Sequence, residues 1–265
     1  MTSRFDTDTA VEALGDGAFA ARIDPDWSVG AGPNGGTIAA IVLRAMSATL
    51  GEDARPSRSL TIHYLRAPRE GPARVETRIE RRGRTVTAIS ARLSQDGRLA
   101  AIALASFSGR REGGIELVDT SMPQVPPADQ LAPQPETPAA APPFARHFEF
   151  RGALGAPPFT GASEALTGGW IALREPRPVD TVLVAQLTDA WLPAIYATLE
   201  APARVPTIDL TIHFRAPDLV LEPGTFVLGR WHTSLARDGF LEEDGELWAP
   251  DGTLIAQSRQ LALAS

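Results

Sequence analysis

Cysteine is missing from all 265 residues, which excludes a disulfide framework, a thiolate metal site and a cysteine nucleophile together. A reducing compartment fits that composition. No apolar run approaches the ~18 residues of a membrane span. The opening MTSRFDTDTA carries acid where a signal peptide needs a basic stretch followed by an apolar one. No membrane span and a soluble, cytoplasmic protein are expected. Positive charge is also in deficit: 25 Lys and Arg face 32 Asp and Glu, a net charge of -7. A partner held by phosphate neutralisation would be repelled over most of the surface, so no nucleic acid is expected. Histidine is scarce: His63, His147, His213 and His232 are the four, none at HExxH spacing, so no metal is expected. The GxSxG turn that would present a serine nucleophile is absent as well.

What is present is an ordinary globular composition, 43% hydrophobic and 22% charged. It suffices for a sizeable core and excludes wholesale disorder. The length allows one large domain or two small ones fused. Comparison of the chain with itself shows a duplication. Ser59-Leu60-Thr61-Ile62-His63-Tyr64-Leu65-Arg66-Ala67-Pro68 returns as Asp209-Leu210-Thr211-Ile212-His213-Phe214-Arg215-Ala216-Pro217, one residue shorter before the arginine. Each copy is followed by an Asp-Gly turn between strand-like runs, at Asp96-Gly97 and Asp251-Gly252. Residues 122–143 are dense in Pro, Ala and Gln, a composition that favours extended segments and packs no core of its own. The chain therefore divides into 1–121, a linker 122–143, and 144–265.

Each half has one helix candidate. Ile38, Val42, Ala45 and Met46 share a face after Pro33-Asn34-Gly35-Gly36, predicting a helix from about Gly36 to Leu50. Leu183, Leu187, Ala190, Trp191, Ala194 and Ile195 form a stripe after the N-cap candidate Asp180. They predict a long central helix that Pro193 bends or ends. From Thr207 to Arg215, apolar Ile208, Leu210, Ile212 and Phe214 alternate with polar residues, a half-buried strand. Residues 85–94 and 98–107 read as a hairpin, as do a run ending near Trp248 and the run 253–263.

Asp209 lies on the polar face of its strand, where a carboxylate either reaches water or performs a task. Gln260 has small or apolar neighbours in phase (Leu254, Ala256, Ser258, Ala262); buried, it bonds either backbone or a ligand. Thr233, ending the run 226–233, is by pattern an ordinary strand threonine. Asn34, Gly35 and Gly36 offer backbone N–H groups at a helix start, fit to polarise a carbonyl or simply to make a turn. Thr167-Gly168-Gly169-Trp170 reads as the analogous segment of the second half.

The duplicated helix-plus-sheet halves, the Pro/Ala linker and the second-half motifs resemble the double-hotdog acyl-CoA thioesterases of the bacterial thioesterase II group. The fold implied is α+β: two tandem hotdog repeats, each a long helix wrapped by an antiparallel sheet. In that family an aspartate, a threonine or serine, and a glutamine of the second hotdog bind and activate the hydrolytic water. The resemblance gives those roles to Asp209 (in Thr207-Ile208-Asp209), Thr233 (in His232-Thr233-Ser234, with Ser234 beside it) and Gln260. Asp189 and Pro193, in Leu187-Thr188-Asp189-Ala190-Trp191-Leu192-Pro193, resemble the family's second central helix.

The first half departs from the pattern, with Ser59 opposite Asp209 and Ala105 opposite Gln260. One active site per chain follows. Asn34, Gly35 and Gly36 are carried as substrate-binding residues, with a helix-terminal N–H near Gly35 or Gly36 facing the oxyanion. The resemblance implies an acyl-CoA substrate, no cofactor, a place in fatty-acid metabolism, and a homodimer or larger homo-oligomer. Arg66, Arg69, Arg215, Arg230 and Arg237 are fit to meet CoA phosphates and are not assigned singly. An enoyl-CoA hydratase would carry DxNPxH, which is absent. A non-catalytic acyl-binding hotdog is the alternative from another class.

Overall fold

The computed structural model describes residues 3–30, 32–51, 54–134 and 142–264. Helix α1 (Arg4–Asp8) precedes strands β1 (Glu12–Gly15) and β2 (Ala18–Ile23). Helix α2 (Gly35–Leu50) and strands β3 (Ser57–Tyr64), β4 (Gly71–Arg82), β5 (Thr87–Gln95) and β6 (Arg98–Phe107) complete the first half. The second half runs through β7 (Phe148–Gly155), β8 (Leu166–Leu173), helix α3 (Thr181–Leu187), β9 (Thr207–Phe214) and β10 (Val227–His232). It closes with β11 (Ala236–Arg237), β12 (Phe240–Trp248) and β13 (Leu254–Leu263).

The strands join one antiparallel sheet ordered β1-β2-β4-β5-β6-β3-β9-β13-β12-β10-β8-β7, with β11 beside β12. Read outward from its middle, each half repeats the other: β3-β6-β5-β4 answers β9-β13-β12-β10. The two copies of the duplicated motif are the central neighbours, Ser59 opposite His213 and His63 opposite Asp209. Their inward residues Leu60, Ile62, Leu210 and Ile212 are fully buried, as period-two alternation requires.

Helix α2 starts because Asn34 caps it, its side-chain oxygen accepting from the Thr37 N–H. Ala39, Ala40, Leu43, Ala45 and Met46 are all inaccessible to solvent, so the helix is enclosed on most sides. The second helix is shorter than the stripe predicts. Helix α3 ends at Leu187, and after an irregular stretch a single 3-10 turn spans Ala194–Ala197. Side chains supplant the ladder there: Thr188 O accepts from Trp231 Nε1 (3.1 Å) and Asp189 O from Asn34 Nδ2 (2.7 Å). Pro193 bars helical geometry at the residue before it. Gly168 and Gly169 also differ from expectation, lying inside strand β8 and not at a helix start.

The linker packs where it is described; residues 135–141 lie outside the described residues. Met122, Val125, Ala128 and Leu131 pack on Trp170, Leu228 and Trp248. Trp170 Nε1 donates to Pro126 O at 2.9 Å, and Arg151 donates to Ala128 O and Leu131 O. This strap covers the outer face of the second half-sheet. The outer face of the first half-sheet instead bears a groove lined by His63, Arg78, Glu80, Arg92 and Leu104, with Leu104 half exposed.

Candidate functional site

A carboxylate sits where the two helices meet. Asp189, two residues past the end of α3, accepts from the Gly36 N–H (2.9 Å) and from Asn34 Nδ2 (3.0 Å). The helix α2 N-terminus therefore aims its partial positive charge at this oxygen. Asn34 is fixed in turn by Gln186, whose Nε2 donates to Asn34 Oδ1 (2.7 Å), while Thr37 Oγ1 donates to Gln186 Oε1 (2.7 Å). Tyr64 Oη donates to Gly35 O at 2.8 Å. A side chain at either glycine would displace its neighbours, the Asp189 and Tyr64 side chains at Gly35 and backbone at Gly36. A Cβ on Gly35 would stand 2.9 Å from Asp189 Oδ2, and one on Gly36 2.5 Å from Gln186 O.

The segment bearing Asp189 is braced behind by aromatics. Trp191 stacks on Trp231 at 5.6 Å, and its Nε1 donates to Thr167 Oγ1. Burial pushes the Asp189 carboxyl up to about 6 against the pull of the Gly36, Gly35 and Asn34 donors. The neighbouring Tyr64 hydroxyl is raised well above its usual value, by burial first and then by Asp189 and Asp209.

A second polar group comes from the sheet. Thr207 Oγ1 donates to Gln260 Oε1 at 2.9 Å, and Gln260 Nε2 donates to Glu243 Oε1 at 2.7 Å. Glu243 also accepts from the Ala194 N–H. Buried at 3% exposure, its carboxyl is pushed up to about 7, by desolvation first and in smaller part by Asp189 and Glu242. Glu243 links the two polar groups, since it accepts both from Gln260 and from the N–H of Ala194, five residues past Asp189.

Thr207 reaches this face because β9 carries a bulge. Leu261 pairs with Asp209 and Ala262 with Thr207, leaving Ile208 unmatched. The extra residue reverses the alternation, so Thr207 turns inward with Gln260 while Asp209 stays on the other side, its Oδ2 3.8 Å from His63 Nδ1.

Of the residues singled out from the sequence, the structure gathers Gln260 into the Thr207 pair, and Asn34, Gly35 and Gly36 around Asp189. Asp209 faces His63 instead. Thr233 is buried, its N–H donating to Ala165 O, its hydroxyl unpaired. It stands one strand beyond Gln260's own neighbour, since His232 pairs with Asp244 and Glu243 with Gln260. That separation is two strand spacings, about 9.6 Å.

Sequence reasoning left Asp189 without a role and missed Glu243. The signal for Glu243 was available: in Leu241-Glu242-Glu243-Asp244-Gly245-Glu246-Leu247, alternation puts Glu243 inward between Leu241 and Leu247, both buried. A hollow of about 660 Å³ lies elsewhere, in the outer groove of the first half.

The first half carries the same positions without the chemistry. Leu60 pairs with Ala105 as Leu210 pairs with Gln260, and Ala105 is flanked by Ile89 where Gln260 has Glu243. Ser57, across an equal bulge, answers Thr207. Counted from the N-caps Asn34 and Asp180, Leu43 answers Asp189.

Residues 23–108 match the model of the acyl-CoA thioesterase N-terminal domain, and residues 124–264 that of the acyl-CoA thioesterase C-terminal domain. A conserved protein with a hot dog fold from Alicyclobacillus acidocaldarius is similar in structure, at TM-score 0.92 and 26% identity, covering 100% of this chain and 99% of its own. So is a candidate thioesterase II from Thermobifida fusca YX, at 0.84 and 26%, covering 100% and 98%. An acyl-CoA thioesterase II from Mycobacterium marinum shares the fold at 0.78 and 20% identity, covering 98% of each chain. A comparison with curated proteins gives no match. Among the described residues, no helix is long and apolar enough to cross a membrane.

Proposed function

Since the chain belongs to the acyl-CoA thioesterase family, we propose that it hydrolyses an acyl-CoA at one site per chain, with Asp189, Thr207 and Gln260 holding the attacking water. The carrying observation is a half-buried carboxylate held at a helix N-terminus and tied, through Ala194 and Glu243, to a threonine–glutamine pair. A site in this position draws on both halves: α2 supplies the positive helix end, while the segment after α3 and strands β9 and β13 supply the polar side chains.

In this reading the water oxygen attacks the thioester carbonyl carbon while its proton passes to Asp189. The positive end of α2 stabilises both that carboxylate and the oxyanion formed beside it. The Gly36 N–H is engaged by Asp189, so substrate contact at Asn34, Gly35 and Gly36 comes through this one turn. Collapse of the tetrahedral intermediate breaks the C–S bond, and the thiolate takes the proton back from Asp189. Free acid and CoA leave, and no acyl-enzyme forms.

Asp189 replaces Asp209 as the proposed base, and Thr207 replaces Thr233 as the hydroxyl. Support comes from the helix-terminal donors on Asp189 and from the 2.9 Å bond between Thr207 and Gln260. Two tandem hotdog repeats, divided at 1–121, 122–143 and 144–265, are supported by the mirrored strand order. A cytoplasmic homo-oligomer acting in fatty-acid metabolism is part of the same proposal.

The test is free-thiol release from acyl-CoAs of graded length, by wild type and by Asp189→Asn and Asp209→Asn proteins of matched folding. Asp189→Asn is expected to lose about 100-fold or more of the rate, and Asp209→Asn to stay within about threefold of wild type. The reverse pattern returns the role to Asp209. Acyl-CoA binding seen as a raised melting temperature, with no thiol released by wild type, favours the non-catalytic reading.

A further inference from the structure

We propose that Glu243 is a positioning residue that sets the direction of the hydrogen-bond chain from Gln260 through Thr207 to the attacking water. The inference rests on the hydrolysis reading above and deepens it.

Two donors converge on Glu243. One is the Ala194 backbone N–H, which cannot reverse its role; the other is Gln260 Nε2. A carboxylate accepts both. With Nε2 committed to Glu243, Gln260 turns its Oε1 towards Thr207, and that oxygen can only accept. The Thr207 hydroxyl must therefore donate to Gln260, which leaves its lone pairs to accept a hydrogen from water. A water that donates one hydrogen to Thr207 and the other to Asp189 presents its own lone pair to the carbonyl carbon.

Without Glu243 nothing fixes the amide. Rotated by half a turn, Gln260 would offer N–H to Thr207, and the chain would run the other way. Glu243 does this while tethering Ala194, five residues past Asp189, so one side chain ties together the two parts of the site.

The other half of the molecule shows the same link from its absence. At the positions of Gln260 and Glu243 it carries Ala105 and Ile89, both buried. The glutamate is missing where the glutamine is missing. A buried carboxylate is costly to keep unless it performs work, and the groups facing Glu243 give it no counter-charge. They are Asp189 after α3, Glu242 on its own strand, and Tyr196 of the 3-10 turn, whose hydroxyl is raised by burial first and then by Glu243. With its carboxyl pushed up to about 7, Glu243 changes charge close to neutrality, and the orientation of the amide follows.

The experiment combines kcat and KM from pH 5 to 9 for wild type, Glu243→Gln and Glu243→Asp with 15N NMR of the Gln260 side-chain amide, assigned by its loss in Gln260→Ala. In wild type the amide signals are expected to titrate near neutrality, and in Glu243→Gln to stop doing so. Glu243→Gln is expected to lower kcat by up to about 100-fold with KM within about twofold, and Glu243→Asp to recover part of the loss. An amide that does not titrate in wild type, or titrates unchanged in Glu243→Gln, overturns the proposal. So does an unaltered kcat profile. If wild type releases no thiol, the hydrolysis reading fails, while the amide titration still decides whether Glu243 governs Gln260.

Discussion

Asp189 and Glu243 are held against their own ionisation, and that carries a cost in stability. Each carboxyl is raised in the folded chain, to about 6 and about 7, from ordinary values of 3.8 and 4.5. Below about pH 3 both are protonated whether the chain is folded or not, and neither affects the balance. As pH rises from about 3 to about 7 the unfolded chain gives up these protons first, so folding loses free energy across that window and levels off above it. The loss is on the order of 3 kcal/mol per group. Melting temperatures followed from pH 4 to 8 should therefore fall less steeply for Asp189→Asn and Glu243→Gln than for wild type. Equal slopes in all three proteins would mean that the carboxyls are not enclosed as described. The activity profile has the opposite sign, since Asp189 must be ionised to accept a proton: kcat should rise through about pH 6.

At the scale of elements, the site depends on how closely α2 approaches the end of α3. Gly36→Ala would place a methyl carbon 2.5 Å from Gln186 O, a backbone atom, and 3.0 Å from Asn34 Oδ1. The helices must separate, at about 1–3 kcal/mol. Chemical denaturation should show that loss alongside a large fall in kcat; an alanine without either effect would contradict the packing. Much at this scale was legible in the sequence. The α2 boundaries, the two hairpins and the central duplicated strands follow from caps, Asp-Gly turns and alternation. The site was legible only in part, and for local reasons. The bulge at Ile208 leaves no mark in an alternating pattern, yet it decides that Thr207 faces inward and Asp209 does not. The stripe through Ile195 has helical spacing, but side-chain partners for the Thr188 and Asp189 carbonyls end the helix before it is completed. Glu243 was hidden in an acidic run whose other members turn to the opposite face of the strand, where Asp244 pairs with Arg259 and Glu246 with Arg230.

Across the whole molecule, the two halves share a strand order but differ in what covers them. The strap on the second half is held by the Trp170 indole, through packing and through its bond to Pro126 O. Trp170→Ala is expected to cost about 3 kcal/mol and to open the segment around Pro126 to limited proteolysis, with the cut site read by mass spectrometry. A strap that stays resistant in this variant would show that it is held elsewhere. Coverage of one outer face also makes the two halves unlike in depth. The strap turns Trp170, Leu228 and Trp248 from would-be surface into a second, smaller core, so the second half-sheet carries apolar packing on both faces while the outer face of the first keeps an open groove.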